Sequence, residues 1–241
     1  MRAPAPMLEL ERIDTHRGPA QILRAISLSV GAGEAVCLVG RNGAGKTTTL
    51  RAVMGYLRPA GGTITLAGQP IGGLPTHAIA ARGVGYAPEE SAVFGDLTVA
   101  ENIELATWTR PGGRPAAERV ARAYDVFPRL RGFATRGGTQ LSGGERKMLS
   151  IARALALDPA LLLLDEPFEG LSPAIIPQLG ESIAAIARLG PAIVLAASNI
   201  HHVPVYASRL YVIERGEIVF AGLPQDLRGR PDLARIVGQA L

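Results

Sequence analysis

Apolar and polar positions alternate along the first thirty residues. Leu8, Leu10 and Ile13 form one set and Ile22, Ile26, Leu28 and Val30 a second, which predicts two strands joined by a turn at Gly18-Pro19. Gly31-Ala32-Gly33 leads into Ala35–Val39, an unbroken apolar run that predicts a buried strand, and Thr47–Tyr56 can open a helix. Pro59–Gly62 predicts a turn, Thr63–Leu66 a strand closed by Gly68, and Val84–Tyr86 another short strand. From Thr98 to Leu130 the period becomes helical, with Thr98 and Glu101 spaced as a capping box and Val99, Ile103 and Leu105 as the apolar stripe. Pro111 to Pro115 interrupts it, and a second helix is predicted over Ala116–Val126. A helix from Ser142 to Leu157, a buried strand at Leu161–Leu164, a helix over Pro177–Leu189 and a buried strand at Ala192–Ala197 follow. Leu210–Ile213 and Glu217–Phe220 flank Arg215-Gly216, a hairpin signal, and residues 223–238 close with helix-like segments. Strands alternating with helices argue for a parallel α/β core.

Composition narrows the setting. At 241 residues with 47% hydrophobic content, one compact domain of two subdomains, or two small domains, has ample core. Mean hydropathy of +0.20 leaves room for an apolar docking face. No apolar run approaches the roughly 20 residues that span a bilayer, and Met1–Pro6 lacks a signal pattern, so a cytoplasmic protein is expected. The single cysteine, Cys37, lies in an apolar strand and reads as a structural thiol. Net charge is only +4 and 5% of residues are aromatic, which argues against nucleic acid as a partner.

Three motifs carry chemistry. Gly40-Arg41-Asn42-Gly43-Ala44-Gly45-Lys46-Thr47 fits the phosphate-binding pattern G-x-x-x-x-G-K-S/T between a strand and a helix. Its glycines let main-chain N–H groups close around phosphate oxygens, and the helix adds its positive dipole end. Lys46 would reach the outer phosphates and the Thr47 hydroxyl would hold Mg²⁺. Asp165 and Glu166 end the Leu161–Leu164 strand, where α/β sheets bind ligands. Asp165 would sit near the metal, and Glu166, pointing elsewhere, would polarise an attacking water. Alone, such a pair could serve as a helix cap. Leu141-Ser142-Gly143-Gly144-Glu145 is a helix start with a capping box, yet two glycines in a first turn make sense if main chain must approach an anion.

The ordered set GRNGAGKTT, LSGGE and LLLLDEP resembles the ATP-binding subunits of ABC transporters, from about Leu8 to Gly238. The resemblance implies a P-loop NTPase (RecA-like) α/β core with an antiparallel β subdomain and an inserted α-helical subdomain. It implies one ABC ATP-binding domain over 1–241, with the core and β subdomain at about 1–88 and 150–241 and the helical subdomain at about 89–149. ATP and Mg²⁺ would bind at Gly40–Thr48. In the family two domains pair head to tail, so Ser142, Gly143 and Gly144 would serve the partner's nucleotide. Tyr86-Ala87-Pro88-Glu89, Val93-Phe94, Asp96–Asn102, Phe127–Leu130 and Glu169–Pro173 are similar to the second ATPase of branched-chain amino acid importers. That implies membrane permease partners facing Glu89–Asn102, a second and different ATPase, an extracytoplasmic solute-binding protein acting indirectly, and a peripheral place on the cytoplasmic side of the membrane.

Four positions depart from the general family pattern. Glu89 stands for the glutamine that senses Mg²⁺ and γ-phosphate, as in the branched-chain subgroup. Ser172 replaces an aspartate. Arg17, beside His16, falls where an aromatic stacks on adenine. Ser198 aligns with the switch histidine; His201 and His202 are close by but out of register, and are either substitutes for it or ordinary helix-start histidines. A lost γ-phosphate contact costs on the order of 10²–10³ in rate, so ATP binding with slow or partner-dependent hydrolysis is expected. The rival readings are a nucleotide-gated subunit that does not cleave ATP, a urea or amide importer ATPase, and a soluble relative in DNA repair or translation. The last usually carries coiled-coil insertions or tandem ATPase units, and neither pattern is present.

Overall fold

A computed structural model describes residues 6–110, 113–227 and 230–237. Most of the Met1–Pro6 segment, the start of the Pro111–Pro115 break and parts of the 223–238 segment lie outside the described residues. In chain order the elements are β1 (Leu8–Arg17), β2 (Ala20–Val30), β3 (Ala35–Val39), α1 (Lys46–Val53), β4 (Gly61–Leu66), β5 (Gln69–Pro70), α2 (Thr76–Ala81) and β6 (Val84–Ala87). They continue with α3 (Val99–Thr107), α4 (Ala116–Val126), α5 (Gly143–Ala156), β7 (Leu161–Asp165), α6 (Ile176–Arg188), β8 (Ala192–Ala197), β9 (Arg209–Glu214), β10 (Glu217–Gly222) and α7 (Pro231–Ala234).

Two sheets form. One is antiparallel in the order β2-β1-β4-β5; the other runs β10-β9-β3-β8-β7-β6, parallel except for the edge hairpin strand β10. Strands β3 and β8 and the Leu161–Leu164 run of β7 are apolar because both faces are covered. Their two-residue period divides each run between layers. Val36, Leu38, Leu161, Leu163, Val194 and Ala196 face the antiparallel sheet and α1, while Cys37, Val39, Leu162, Leu164, Ile193 and Leu195 face α5 and α6. Helices α3 and α4 pack on α5, which also touches β6 and β7. Cys37 is buried, and burial pushes its thiol up to about 12, as suits a structural thiol. Among the described residues no helix is long and apolar enough to cross a membrane.

Most elements match the apolar periodicity, including both capping boxes, Thr98 with Glu101 and Ser142 with Glu145. The differences are local. The first helix stops at Val53 and turns at Gly55, whose φ of +75° suits glycine. The turn predicted at Pro59–Gly62 gives way to β4 at Gly61, since pairing with β1 extends the strand. Helix α2 was not legible because only Ile79 of its six residues is buried.

The β9–β10 turn bears on the phosphate loop. Arg215 and Gly216 both have positive φ, 49° and 82°, as a tight hairpin turn requires. Gly216 N–H donates to Ala44 O at 2.8 Å, and Gly216 O accepts from Arg24 N–H at 2.8 Å. A β-carbon on Gly216 would lie 2.0 Å from Ile22 O. Gly216→Ala is therefore expected to cost roughly 1–3 kcal/mol and to weaken ATP binding by shifting Ala44. Urea unfolding and equilibrium ATP binding check this; wild-type values in both would show that the turn does not brace the loop.

Candidate functional site

Gly40 enters the phosphate loop from β3 under tight constraint. Its N–H donates to Ala197 O at 3.2 Å, and a β-carbon there would fall 2.2 Å from Ile213 O. Arg41, Asn42 and Gly43 form the exposed tip, and a side chain on Gly43 would meet nothing within 4 Å. Gly45, at φ 117°, starts α1, which has neither a side-chain cap nor an acidic residue in its first turn. Its leading N–H groups and dipole are thus aimed at the open loop, the arrangement that holds an anion.

Lys46 is only 4% exposed. Its Nζ donates to Gly40 O at 2.5 Å and Arg41 O at 3.0 Å, and lies 3.0 Å from Glu166 Oε1. That last approach is an ion pair without the alignment of a hydrogen bond. Glu166 adopts φ 45°, a left-handed turn costing about 1–3 kcal/mol for a residue with a β-carbon. The turn takes its carboxylate off the strand line, where Oε2 accepts from the Ser198 N–H at 2.9 Å.

Asp165 shares the strand face of Leu161 and Leu163, toward α1, so the register delivers it to the phosphate loop. Thr47 Oγ1 donates to its Oδ1 at 3.0 Å and Tyr86 Oη donates to its Oδ2 at 2.9 Å. Burial first, then the charges of Glu89 and Glu166, raise the Asp165 pKa against these two hydroxyl bonds. Burial likewise raises that of Tyr86, with Asp165 adding to it. A buried carboxylate bonded by two neutral hydroxyls suits a hard divalent cation, and the oxygen donors Thr47 and Asp165 fit Mg²⁺. Glu89, the third expected metal contact, is exposed; its main-chain carbonyl is what the structure holds, 2.6 Å from Lys147 Nζ.

Arg17 and His16 are exposed and share a cleft of about 440 Å³ with Thr48 and Tyr86, beside the loop. Ser142 and Gly143 are exposed at the start of α5, and a side chain on Gly143 would meet nothing of this chain within 4 Å. Packing here does not demand that glycine. Ser198 is placed beside Glu166, but through its main chain: its Oγ donates to Glu169 Oε2 at 3.2 Å. His201 is exposed in a 3-10 turn, and the His202 ring packs 5.2 Å from Phe168. Among the described residues neither histidine bonds to Glu166.

Sequence reasoning missed three participants. The Tyr86 hydroxyl reaches Asp165 only because β6 pairs with β7. The Ser198 N–H carries no side-chain signature. Lys147 did leave a trace, a cation on the apolar face of α5.

Breaking a buried ion pair by removing one partner strands the other charge. Lys46→Met is therefore expected to destabilise the nucleotide-free protein by about 3 kcal/mol, and Glu166→Gln in the same chain to restore most of that. Denaturant titration of the single and double variants checks it; additive losses would contradict the pairing.

A family model described as ABC transporter matches residues 23–169. The chain is 39% identical to the high-affinity branched-chain amino acid transport ATP-binding protein BraG of Pseudomonas aeruginosa, over 88% of this chain and 91% of that one. It is 36% identical to the lipopolysaccharide export system ATP-binding protein LptB of Acidithiobacillus ferridurans, over 89% of each. Among solved structures, an ATP-binding subunit of an ABC transporter superposes with a TM-score of 0.82 at 27% identity, covering 94% of both chains. An ATP-binding cassette in its ADP conformation gives 0.82 at 23% identity, covering 96% and 98%, a likeness of fold. The chain belongs to the ABC transporter family, as an ATP-binding ATPase subunit of the kind that dimerises and works with membrane permease components.

Proposed function

We propose that this subunit powers import of branched-chain or related amino acids, as a single ABC ATP-binding domain whose helical subdomain spans about 89–149. The observation that carries the solute class is the likeness to BraG over nearly the whole of both chains. The LptB likeness favours a second reading, export of a lipid-linked solute. An open groove of about 330 Å³ beside Tyr56, Phe94 and Ala106 supports docking of a permease, with Tyr56 57% and Phe94 47% exposed.

The proposed chemistry follows from the site. Lys46 exchanges the Gly40 and Arg41 carbonyls and Glu166 for phosphate oxygens, neutralising charge that develops in transfer. Glu166, released at Oε1 and still held at Oε2 by Ser198 N–H, orients the attacking water. Thr47 and Asp165 would hold Mg²⁺, which would supply charge neutralisation there, and the exposed Glu89 carboxylate would have to turn inward to sense it. Arg17 lines the base cleft. Ser142, Gly143 and Gly144 close over the nucleotide of a second ATPase subunit, distinct from this one. Ser198 offers no imidazole, so turnover is slow until the partners assemble. The solute-binding protein acts outside the membrane, and this chain sits peripherally on the cytoplasmic side.

Reconstitution with the membrane permease that copurifies with it tests the reading. Leucine with its binding protein is expected to stimulate ATP hydrolysis; stimulation by lipopolysaccharide instead supports the export reading. In that complex Glu166→Gln should lower turnover on the order of 10²-fold or more. Gly143→Val should do likewise while shifting the Tm of the free subunit by no more than about 2 °C. Wild-type turnover in Gly143→Val would remove the paired-site account.

A further inference from the structure

Helix α5 carries a charge that the chemistry above leaves unused. Lys147 lies on the buried face of α5 among Met148, Leu149 and Ile151, and is 4% exposed. An ammonium withdrawn from water is costly unless its protons find acceptors. Burial lowers its pKa, against the nearby charges of Glu89, Asp165, Glu166 and Glu90. Its Nζ donates to Glu89 O at 2.6 Å and to Glu166 O at 3.2 Å. Those carbonyls belong to the loops after β6 and β7, neighbours in the sheet.

Glu166 is thus gripped from both layers: Lys46 on α1 meets its carboxylate, and Lys147 on α5 meets its carbonyl. The loop after β6 has a second tie to the same helix. Arg153 Nη1 donates to Ala92 O at 2.6 Å, and its guanidinium lies 4.5 Å over the Phe94 ring. Asn102, wholly buried, then bonds Phe94 at both N–H and O, each at 2.9 Å. The segment from Glu89 to Phe94 therefore hangs on α5 at two points.

We propose that Lys147 is a positioning residue that couples the Ser142–Gly144 end of α5 to this chain's own hydrolytic site, by holding the Glu89 and Glu166 carbonyls with one ammonium. A displacement of α5 either carries both loops with it or leaves a buried charge without acceptors, and the second is disfavoured. When the start of α5 is drawn toward a partner's nucleotide, the loop facing the permease and the turn holding Glu166 move together. The inference rests on the proposed roles of Glu166 and of Ser142–Gly144.

The test uses the full chain with Lys147→Met, Lys147→Gln, Lys147→Arg and Glu166→Gln. Amide hydrogen exchange is followed in the subunit without nucleotide, and ATP hydrolysis at steady state in the complex with its permease. Lys147→Met should speed exchange over 89–94 about tenfold and lower kcat about tenfold, with KM for ATP within about twofold, because Gly40–Thr48 is untouched. At least one of Lys147→Gln and Lys147→Arg, which keep donors, should recover kcat to within about threefold. Unchanged exchange and kcat in Lys147→Met, a kcat and KM that worsen together, or no recovery in either donor variant would overturn the proposal. Should Lys147→Met fail to fold, Lys147→Ala, which also removes the donor, decides: slower turnover at unchanged KM supports the coupling, and wild-type turnover with wild-type exchange overturns it. Full turnover in Glu166→Gln would overturn the site reading itself; its loss alongside a fully active Lys147→Met would overturn the coupling alone.

Discussion

A parallel sheet covered on both faces leaves its strands no place for polar side chains except their ends. In this chain Leu161–Leu164, Ala192–Ala197 and, in β3, Val36 to Val39 are buried. Polar chemistry is confined to the carboxyl ends of β3, β6, β7 and β8, and there it accumulates: the phosphate loop, Tyr86, Asp165, Glu166 and Ser198. The same parity that sorts leucines between two layers sends Asp165 to the α1 side. The left-handed turn at Glu166 breaks the parity and separates the two carboxylates. One acid is thereby committed to hydroxyl partners, the other to a lysine and a main-chain amide.

The electrostatics of the site fit that division. Lys46 has its charge spread over two carbonyls and one carboxylate, none of which it must lose at great cost, since phosphate oxygens offer the same kind of partner. Asp165 has the opposite problem, a buried charge with only neutral donors in contact, and its raised pKa records it. A cation bound there would relieve the burial penalty, and an anion in the loop would draw Lys46 away from Glu166. Ligand binding would thus convert two internal compensations into contacts with the ligand.

Helix α5 joins this site to what lies outside the subunit. Its first turn exposes Ser142 and Gly143, its buried face carries Lys147 and Arg153, and α3 and α4 pack against it. A helix of 14 residues transmits displacement well because its own hydrogen bonds resist bending. The loop it grips borders the groove beside Tyr56 and Phe94.

The sequence by itself determined the elements whose cause is local. Glycines at positive φ, apolar periodicity, capping boxes at Thr98 and Ser142, and the glycine loop with Lys46 and Thr47 are all set by neighbours along the chain. It also marked Asp165 and Glu166 as the polar end of a buried strand. Only the tertiary structure decided that Ser198 acts on Glu166 through its N–H, that the Tyr86 hydroxyl reaches Asp165, and that Lys147 answers to two carbonyls from loops far away in sequence. Main-chain donors and acceptors are the same at every residue, so their partners are fixed by strand order and layer packing, which no local pattern of side chains encodes.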